Sequence, residues 1–468
     1  MIKGIKECGW QRMSIKLYQQ SDTQRRLDEP ETKTHFSQFR RDYARLIHSA
    51  SFRRLQGKTQ IYPGFESDFF RNRLTHSLEV SQVAKSISIM LNEQYKLDID
   101  YDLVETAALC HDIGHPPFGH NGERALHEKM RESGGFEGNA QTLRLLAITE
   151  KKLFKGNKPI ENGIDNRLGL NLTYRTMASV LKYDKKIPEY IVSESPYPIK
   201  GYYTCETDLV TEIKANVLKG FDLSRLQNTP FKTIECYIMD LADDIAYSTY
   251  DIEDAFKGGF LDPLSMVCAD ESLLKKVQVE LNRSENVDIS LDEIREILKQ
   301  IFRGFIDFDR EDYNNIYQKS KELAETGYLR TQLTSSLVHS CISNVEFELN
   351  EYCPLLSKVY LGVAVRKQVE VLKIFIYIAV ISSPRMNIIR YRGREILSRL
   401  FDLLMDSQPD SSLLPSDIGA IFFAFDEDDP INRKRVICDF ISSMTDRYAV
   451  ELYNRFESDM PYSLFKPL

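Results

Sequence analysis

The chain has 468 residues, 42% hydrophobic and 28% charged, with 61 basic against 69 acidic side chains for a net charge of −8. That composition excludes a disordered or fibrous chain, and the negative balance excludes a global positive field for gripping a nucleic-acid backbone. The longest purely apolar run, Ile374 to Ile381, is too short to cross a bilayer, and the opening MIKGIKECGWQRM shows no apolar core of a secretion signal. Eight cysteines, at 8, 110, 205, 236, 268, 341, 353 and 438, form no CxxC pair. They read as free thiols of a soluble protein in a reducing cytoplasm rather than as a disulfide framework or a zinc ribbon.

In chain order, residues 1–35 are polar enough to predict a loose N-terminal arm. A basic stretch follows, with Arg40, Arg41, Arg45, Arg53, Arg54, Lys58, Arg71 and Arg73 crowded together in an otherwise acidic chain. Such a local cationic patch suits a small polyanion better than a long duplex. Leu74, Leu78, Val83, Ile87 and Leu91 recur at helical spacing. A second helix runs from Leu103 to Cys110, stopped by Gly114 and Pro116-Pro117, and a third from Ile234 to Phe256, between Pro230 and Gly258-Gly259. Only SPYPIKGYYTCE at 195–206 reads as extended, as a small hairpin. Further helices are expected over 292–302, 311–326, 329–349, 356–380, 393–405 and 430–456. The fold class is all-α, with a core over 36–260 and a helical C-terminal region over 261–468.

The chemistry concentrates at 110–123, CHDIGHPPFGHNGE, which holds three of the eight histidines; a fourth, His127, follows closely. Imidazole nitrogen and carboxylate oxygen are ligands for a borderline divalent metal. His111 and Asp112 sit where an apolar helix gives way to a Gly/Pro loop, so both can turn toward one point. A lone His76 on an apolar helix is ordinarily a core histidine, but a His-Asp pair some thirty-five residues later makes it a third ligand candidate. The fourth should be a carboxylate of CYIMDLADDIAYSTYDIEDAF. With Asp240 at zero on a helical wheel, Asp243, Asp244, Tyr247, Asp251 and Asp254 fall within roughly 60°. Such a row repels itself unless a cation compensates it, and the wheel leaves Asp240, Asp243 and Asp244 equally eligible.

H…HD…D across separate helices is similar to the HD phosphohydrolase superfamily. The strings SFRRLQGKTQI (51–61), RNRLTHSLEVSQVA (71–84), HDIGHPPFGHNGE (111–123), GGFEGNAQTLRLL (134–146), LNLTYRTMASVLKY (170–183), LADDIAYSTYDIEDA (241–255) and SSMTDRYA (442–449) together resemble the deoxyguanosine triphosphate triphosphohydrolase family of dNTP hydrolases. The resemblance implies an HD domain over 36–260 with His76, His111, Asp112 and Asp243 as metal ligands. It further implies His120, supported by Glu123, and His115 as catalytic residues. Gln56, Lys182, Tyr183, Tyr247 and Asp251 match positions facing the nucleotide, and Arg53, Arg54, Arg71 and Arg73 are expected to add phosphate contacts.

The implied activity is hydrolysis of dGTP, and of other dNTPs, to deoxynucleoside and triphosphate by water attack at the α-phosphorus. It needs a divalent metal: Mg²⁺ or Mn²⁺, with Zn²⁺, Co²⁺ and Ni²⁺ as alternatives. The family implies a homo-oligomer, dimer or hexamer, with regulatory dNTPs or single-stranded DNA as further partners and no membrane. Two rivals remain: another HD-family nucleotide phosphohydrolase, told apart by the phosphate species released, and a non-catalytic dNTP- or nucleic-acid-binding regulator, told apart by binding without product.

Overall fold

The computed structural model describes residues 15–29, 35–60, 70–191, 195, 197–226, 229–284, 288–381, 384–427 and 429–457. Three helices frame the centre of the protein, and each begins at a side-chain cap. Asn72 accepts from the Thr75 N–H to start helix Arg73–Tyr95, Asp100 accepts from the Leu103 N–H to start Tyr101–Cys110, and Thr233 accepts from the Cys236 N–H to start Ile234–Lys257. The first helix ends at Lys96 in the left-handed region, and the third runs out at Gly258-Gly259. Their facing residues form one buried cluster: Val80, Val83, Ala84 and Ile87 from the first, Val104, Ala107 and Ala108 from the second, Ile238, Ala242, Ile245 and Ala246 from the third. Alanines at the crossing let the backbones approach closely.

The far end of helix Ile234–Lys257, through Ile252 and Phe256, enters a second cluster with residues of 266–302 and 371–380. A third cluster joins Ala125 and Leu126 of helix Gly119–Lys129, and Met130 just after it, to helices Pro384–Met405, Pro430–Ser442 and Asp446–Glu457. The chain is therefore all-α. Among the described residues there are nineteen α-helices and only three two-stranded sheets. None of the described helices is long and apolar enough to cross a membrane, and the seven described cysteines are free of disulfides.

Five sequence expectations are corrected. The helix expected over 329–349 ends at Ser343 and the one over 356–380 begins at Val363, because Val345–Glu348 and Lys358–Leu361 pair antiparallel with Val345 opposite Leu361. Both tetrapeptides alternate in burial, a period-two pattern hidden inside longer helical runs. The helix expected over 430–456 is two, because Thr445 Oγ1 accepts from the Tyr448 N–H and caps a new start. The extended segment near 195–206 makes no hairpin with itself: Tyr202–Tyr203 pairs parallel with Lys186–Ile187. Gly201 permits this, since a Cβ there would lie 2.1 Å from the Lys185 carbonyl oxygen.

The fifth correction is the loose arm. Residues 1–14, with Cys8, and 30–34 lie outside the described residues, as does Ile61 of the 51–61 string. Residues 15–29, however, are packed. Leu17 is buried, the Tyr18 hydroxyl donates to Glu235 at 2.9 Å, and Arg25 reaches Asp42 at 2.5 Å and the Asn171 carbonyl at 2.6 Å. Asp22 and Arg25 are buried against protein partners, while Lys16 and Asp28 stay exposed.

Candidate active site

His111 sits at the C-cap of helix Tyr101–Cys110, with its Nδ1 2.6 Å from the Ala108 carbonyl oxygen. That bond fixes the tautomer with the proton on Nδ1 and frees the lone pair of Nε2. Nε2 is buried without a hydrogen-bond partner, 3.4 Å from Asp243 Oδ1 and 3.6 Å from Asp112 Oδ1. His76 Nε2 lies 3.0 Å from the same Asp243 oxygen, and the His76 and His111 rings stand 5.4 Å apart. His76, His111 and Asp112 each offer a ligand atom, all within 4.8 Å of one another. Two imidazoles, two carboxylates and an orphaned buried nitrogen make a donor set that fits a borderline divalent cation.

The electrostatics agree. Burial alone would depress His111, yet Asp112 and Asp243 outweigh it and push it up to about 9, so with no cation present Nε2 carries a proton, which a bound cation would displace to reach the lone pair. Burial would likewise raise both carboxyls, but Arg73 and the neighbouring histidines hold Asp112 well below the usual carboxylate range, and His111 and His76 do so for Asp243. A cation here meets two ready carboxylates.

Of the three aspartates that the wheel left eligible, only Asp243 touches the histidines. Asp240 is engaged by Lys182 at 2.5 Å and by Lys232, and Asp244 by Lys373 at 3.2 Å. Farther along the row Asp254 is held by Arg71, which also meets Glu79 at 2.8 Å and Glu253 at 2.7 Å. Arg71 is therefore consumed by three carboxylates and does not supply the phosphate contact expected of it. Asp251 is buried outside the cavity described below, with one carboxyl oxygen unpartnered, and burial together with Asp254 pushes its pKa well up.

A second cluster stands beside the first. Phe118 (φ 62°) and Gly119 (φ 59°) are both left-handed, and this turn launches helix Gly119–Lys129 with His120 in its first turn. For phenylalanine that conformation costs about 1–2 kcal/mol. His120 Nδ1 lies 3.1 Å from Glu123 Oε2, while Glu123 Oε1 accepts from the Gly138 N–H at 2.8 Å. Burial would raise Glu123, but the His120 contact and nearby Lys200 hold it well below its ordinary value. His115 Nδ1 is 3.0 Å from Asp112 Oδ1, and its ring is 5.6 Å from that of His120. Burial and Arg73 push His115 down to about 4, so it is a neutral imidazole at pH 7.

Both clusters open on one cavity of about 980 Å³. Of the expected residues Arg73, His111, Asp112, His115, His120, Glu123, Lys182, Tyr183, Asp243 and Tyr247 line it, with His76 buried behind. Arg53, Arg54 and Gln56 do not. Arg53 is exposed and donates to the His48 carbonyl at 2.9 Å, Gln56 is exposed on the turn Leu55–Gly57, and Arg54 faces a separate cavity with Lys151 and Arg167. Gln60, the second amide of LQGKTQ, is the one on the wall. Also unforeseen are Lys200, Arg124, Arg390, Arg392 and Arg447, which complete a cationic lining. The run RYRGR at 390–394 carried a signal like that of the early basic stretch, whereas Lys200 stands alone in its segment.

Comparison with known proteins bears on the same residues. The HD domain family matches residues 73–247, and a phosphohydrolase-associated domain matches residues 359–455. Among relatives, a deoxyguanosinetriphosphate triphosphohydrolase-like protein 2 of Mesorhizobium japonicum is 44% identical, covering 92% of this chain and 95% of its own. Deoxyguanosinetriphosphate triphosphohydrolase-like proteins of Aliivibrio fischeri and Shewanella sediminis are 36% and 32% identical, covering 90% and 92% of this chain and 92% and 94% of their own. With that coverage, and with His76, His111, Asp112 and Asp243 gathered inside the HD match, the chain belongs to the deoxyguanosinetriphosphate triphosphohydrolase-like family of HD-domain phosphohydrolases.

Proposed function

We propose that this protein is a metal-dependent dNTP triphosphohydrolase that converts dGTP, and other dNTPs, to deoxynucleoside and triphosphate. The observation that carries the reading is the shared cavity: a His/Asp donor set and a His-Glu pair open on one space whose walls carry lysine and arginine. Its volume is within the range that takes a nucleotide.

His76, His111, Asp112 and Asp243 would hold the divalent ion, which when bound supplies Lewis-acid polarisation of the phosphoryl group. His120, braced through Nδ1 by Glu123, moves a proton at its other ring nitrogen. Neutral His115 sits between the two clusters and donates or accepts a hydrogen bond without adding charge. Arg73, Lys182, Lys200 and the arginines of the wall neutralise the triphosphate, guanidinium groups as forks and lysines as point charges. Tyr183 and Tyr247 provide flat walls for the deoxynucleoside, and close packing of Tyr247 against the sugar would disfavour a 2′ hydroxyl.

The experiment is a product assay. The purified chain is incubated with each of the four dNTPs and with GTP, in Mg²⁺ or Mn²⁺, and the phosphate products are separated by chromatography. Intact triphosphate from a dNTP is expected; orthophosphate or pyrophosphate would replace the proposal with another HD-family activity. Thermal stabilisation by dNTP with no product at all would point to a binding regulator.

A further inference from the structure

The turn that launches the His120 helix is held from outside the HD match. The Phe118 N–H donates to Asp446 Oδ1 at 3.0 Å, and the other oxygen of Asp446 accepts from the Thr59 N–H at 2.9 Å and from the Thr59 hydroxyl. One residue earlier, the buried Lys58 ammonium donates to the His115 carbonyl at 2.6 Å and to the Ser442 carbonyl at 2.9 Å, the latter at the end of helix Pro430–Ser442. Burial and the neighbouring Arg73 push Lys58 down to about 7, while the helix C-terminus favours its charged form; the amino group donates in either state. The Lys58 carbonyl in turn accepts from the Arg73 N–H at 3.2 Å, at the start of the His76 helix. The docking is tight: a Cβ on Gly57 would come within 2.7 Å of the Thr445 methyl, and one on Gly393 within 2.7 Å of the Phe118 ring.

Every residue from 115 to 118 that turns the chain from the metal cluster toward His120 is thus bracketed by two side chains. Neither side chain lines the cavity. We infer that Asp446 and Lys58 are positioning residues: they hold the 115–118 turn, with its left-handed Phe118, in the geometry that sets His115 and His120 against the metal cluster. Through Asp446 and the Ser442 carbonyl the phosphohydrolase-associated segment then acts on the chemistry by way of the backbone of this turn, in addition to the arginines it lends to the cavity wall. Asp446 is the natural agent, because a carboxylate accepts at both oxygens and an isosteric amide cannot. An Asp446→Asn chain must turn an N–H toward either the Phe118 amide or Thr59, and the turn loses one of its anchors.

The inference rests on the proposed hydrolysis only for its kinetic arm. Full-length wild type, Asp446→Asn and Lys58→Met are compared by hydrogen–deuterium exchange, steady-state kinetics on dGTP and metal content. In Asp446→Asn the amides of Phe118 and Gly119, the two that follow Pro116-Pro117, are expected to exchange about five- to tenfold faster, with those of helix Arg73–Tyr95 unchanged. kcat falls about ten- to a hundredfold with KM within about threefold, and metal content holds. Lys58→Met gives the same pattern and stands in if the first variant does not fold. Unchanged exchange at Phe118 and Gly119 overturns the inference, as does faster exchange throughout the chain with substrate affinity and metal content lost in parallel. If wild type hydrolyses no dNTP the functional proposal fails by itself, and faster exchange confined to Phe118 and Gly119 still decides for the positioning role.

Discussion

His76 Nε2 stands 3.0 Å from Asp243 Oδ1, a contact between residues 167 positions apart and on two different helices. Asp243 is the one acidic residue of its row that meets histidines instead of a lysine or arginine. Replacing it with asparagine keeps the shape and removes the charge that compensates a cation. Asp243→Asn is expected to weaken metal binding by at least about a hundredfold. Asp240→Asn and Asp244→Asn, whose carboxylates face lysines, should keep it. Metal analysis of the three variants by plasma mass spectrometry checks this, and full occupancy in Asp243→Asn would move the ligand elsewhere.

His120 is largely exposed to the cavity, and its contact is with Glu123 and not with the metal cluster. His120→Asn should therefore lower kcat by about 10²–10⁴-fold while metal content is unchanged. Glu123→Gln should lower kcat less, since the imidazole remains. Turnover of His120→Asn at the wild-type rate would remove it from the mechanism.

Lys200 lines the cavity beside Glu137 at 2.8 Å and Glu123 at 3.9 Å, and these carboxylates hold its pKa above the ordinary lysine value. Burial alone would lower it. It is charged at any working pH, so Lys200→Met is expected to raise KM for a dNTP about tenfold, and the wild-type KM should rise with salt more steeply than the variant's. Initial-rate kinetics at low and high ionic strength test both.

Asp22 offers a pH signature remote from the cavity. Burial pushes its carboxyl up to about 6, although Arg175 and the Gln19 N–H pull the other way. Between the unfolded value of about 4 and this folded value the native state binds more protons than the unfolded state, so stability falls as pH rises through that window and levels off above it. Asp22→Asn removes this slope. Urea midpoints near pH 5 and pH 7 should differ less in the variant, by about 1–3 kcal/mol when converted to free energy. Equal slopes in both proteins would show that Asp22 titrates normally.

Much of this site was legible because its chemistry is written in rare residues. Eight histidines in 468 positions leave few ways to assemble two His clusters, and helix ends marked by Gly and Pro placed His111-Asp112 at a turn. The choice among Asp240, Asp243 and Asp244 was not legible from a wheel, since the three share a face. In space Lys182, Lys232 and Lys373 engage Asp240 and Asp244 and leave Asp243 facing the histidines, which supports the residue that the family resemblance implies. The cations of the cavity wall were the hardest to read, because arginine serves buried ion pairs as readily as ligands. Arg71 proved to be the first kind, and Arg390 and Arg392, more than three hundred positions later, line the cavity. In the fold, four-residue strands such as Val345–Glu348 escaped because two turns of period-two alternation are lost in a long period-3.6 pattern.

The packing of residues 15–29 has a practical side. Tyr18 donates to Glu235 in the first turn of the Asp243 helix and lies under the Arg175 guanidinium, 5.2 Å from ring centre to cation, while Arg175 pairs with Glu235 at 3.0 Å in full burial. A chain trimmed to begin at 36, the shortening its polar composition invites, would let water onto that pair and loosen the base of the helix that carries Asp243. The N-terminal stretch is best left whole, with any affinity tag placed ahead of residue 15 or at the other end.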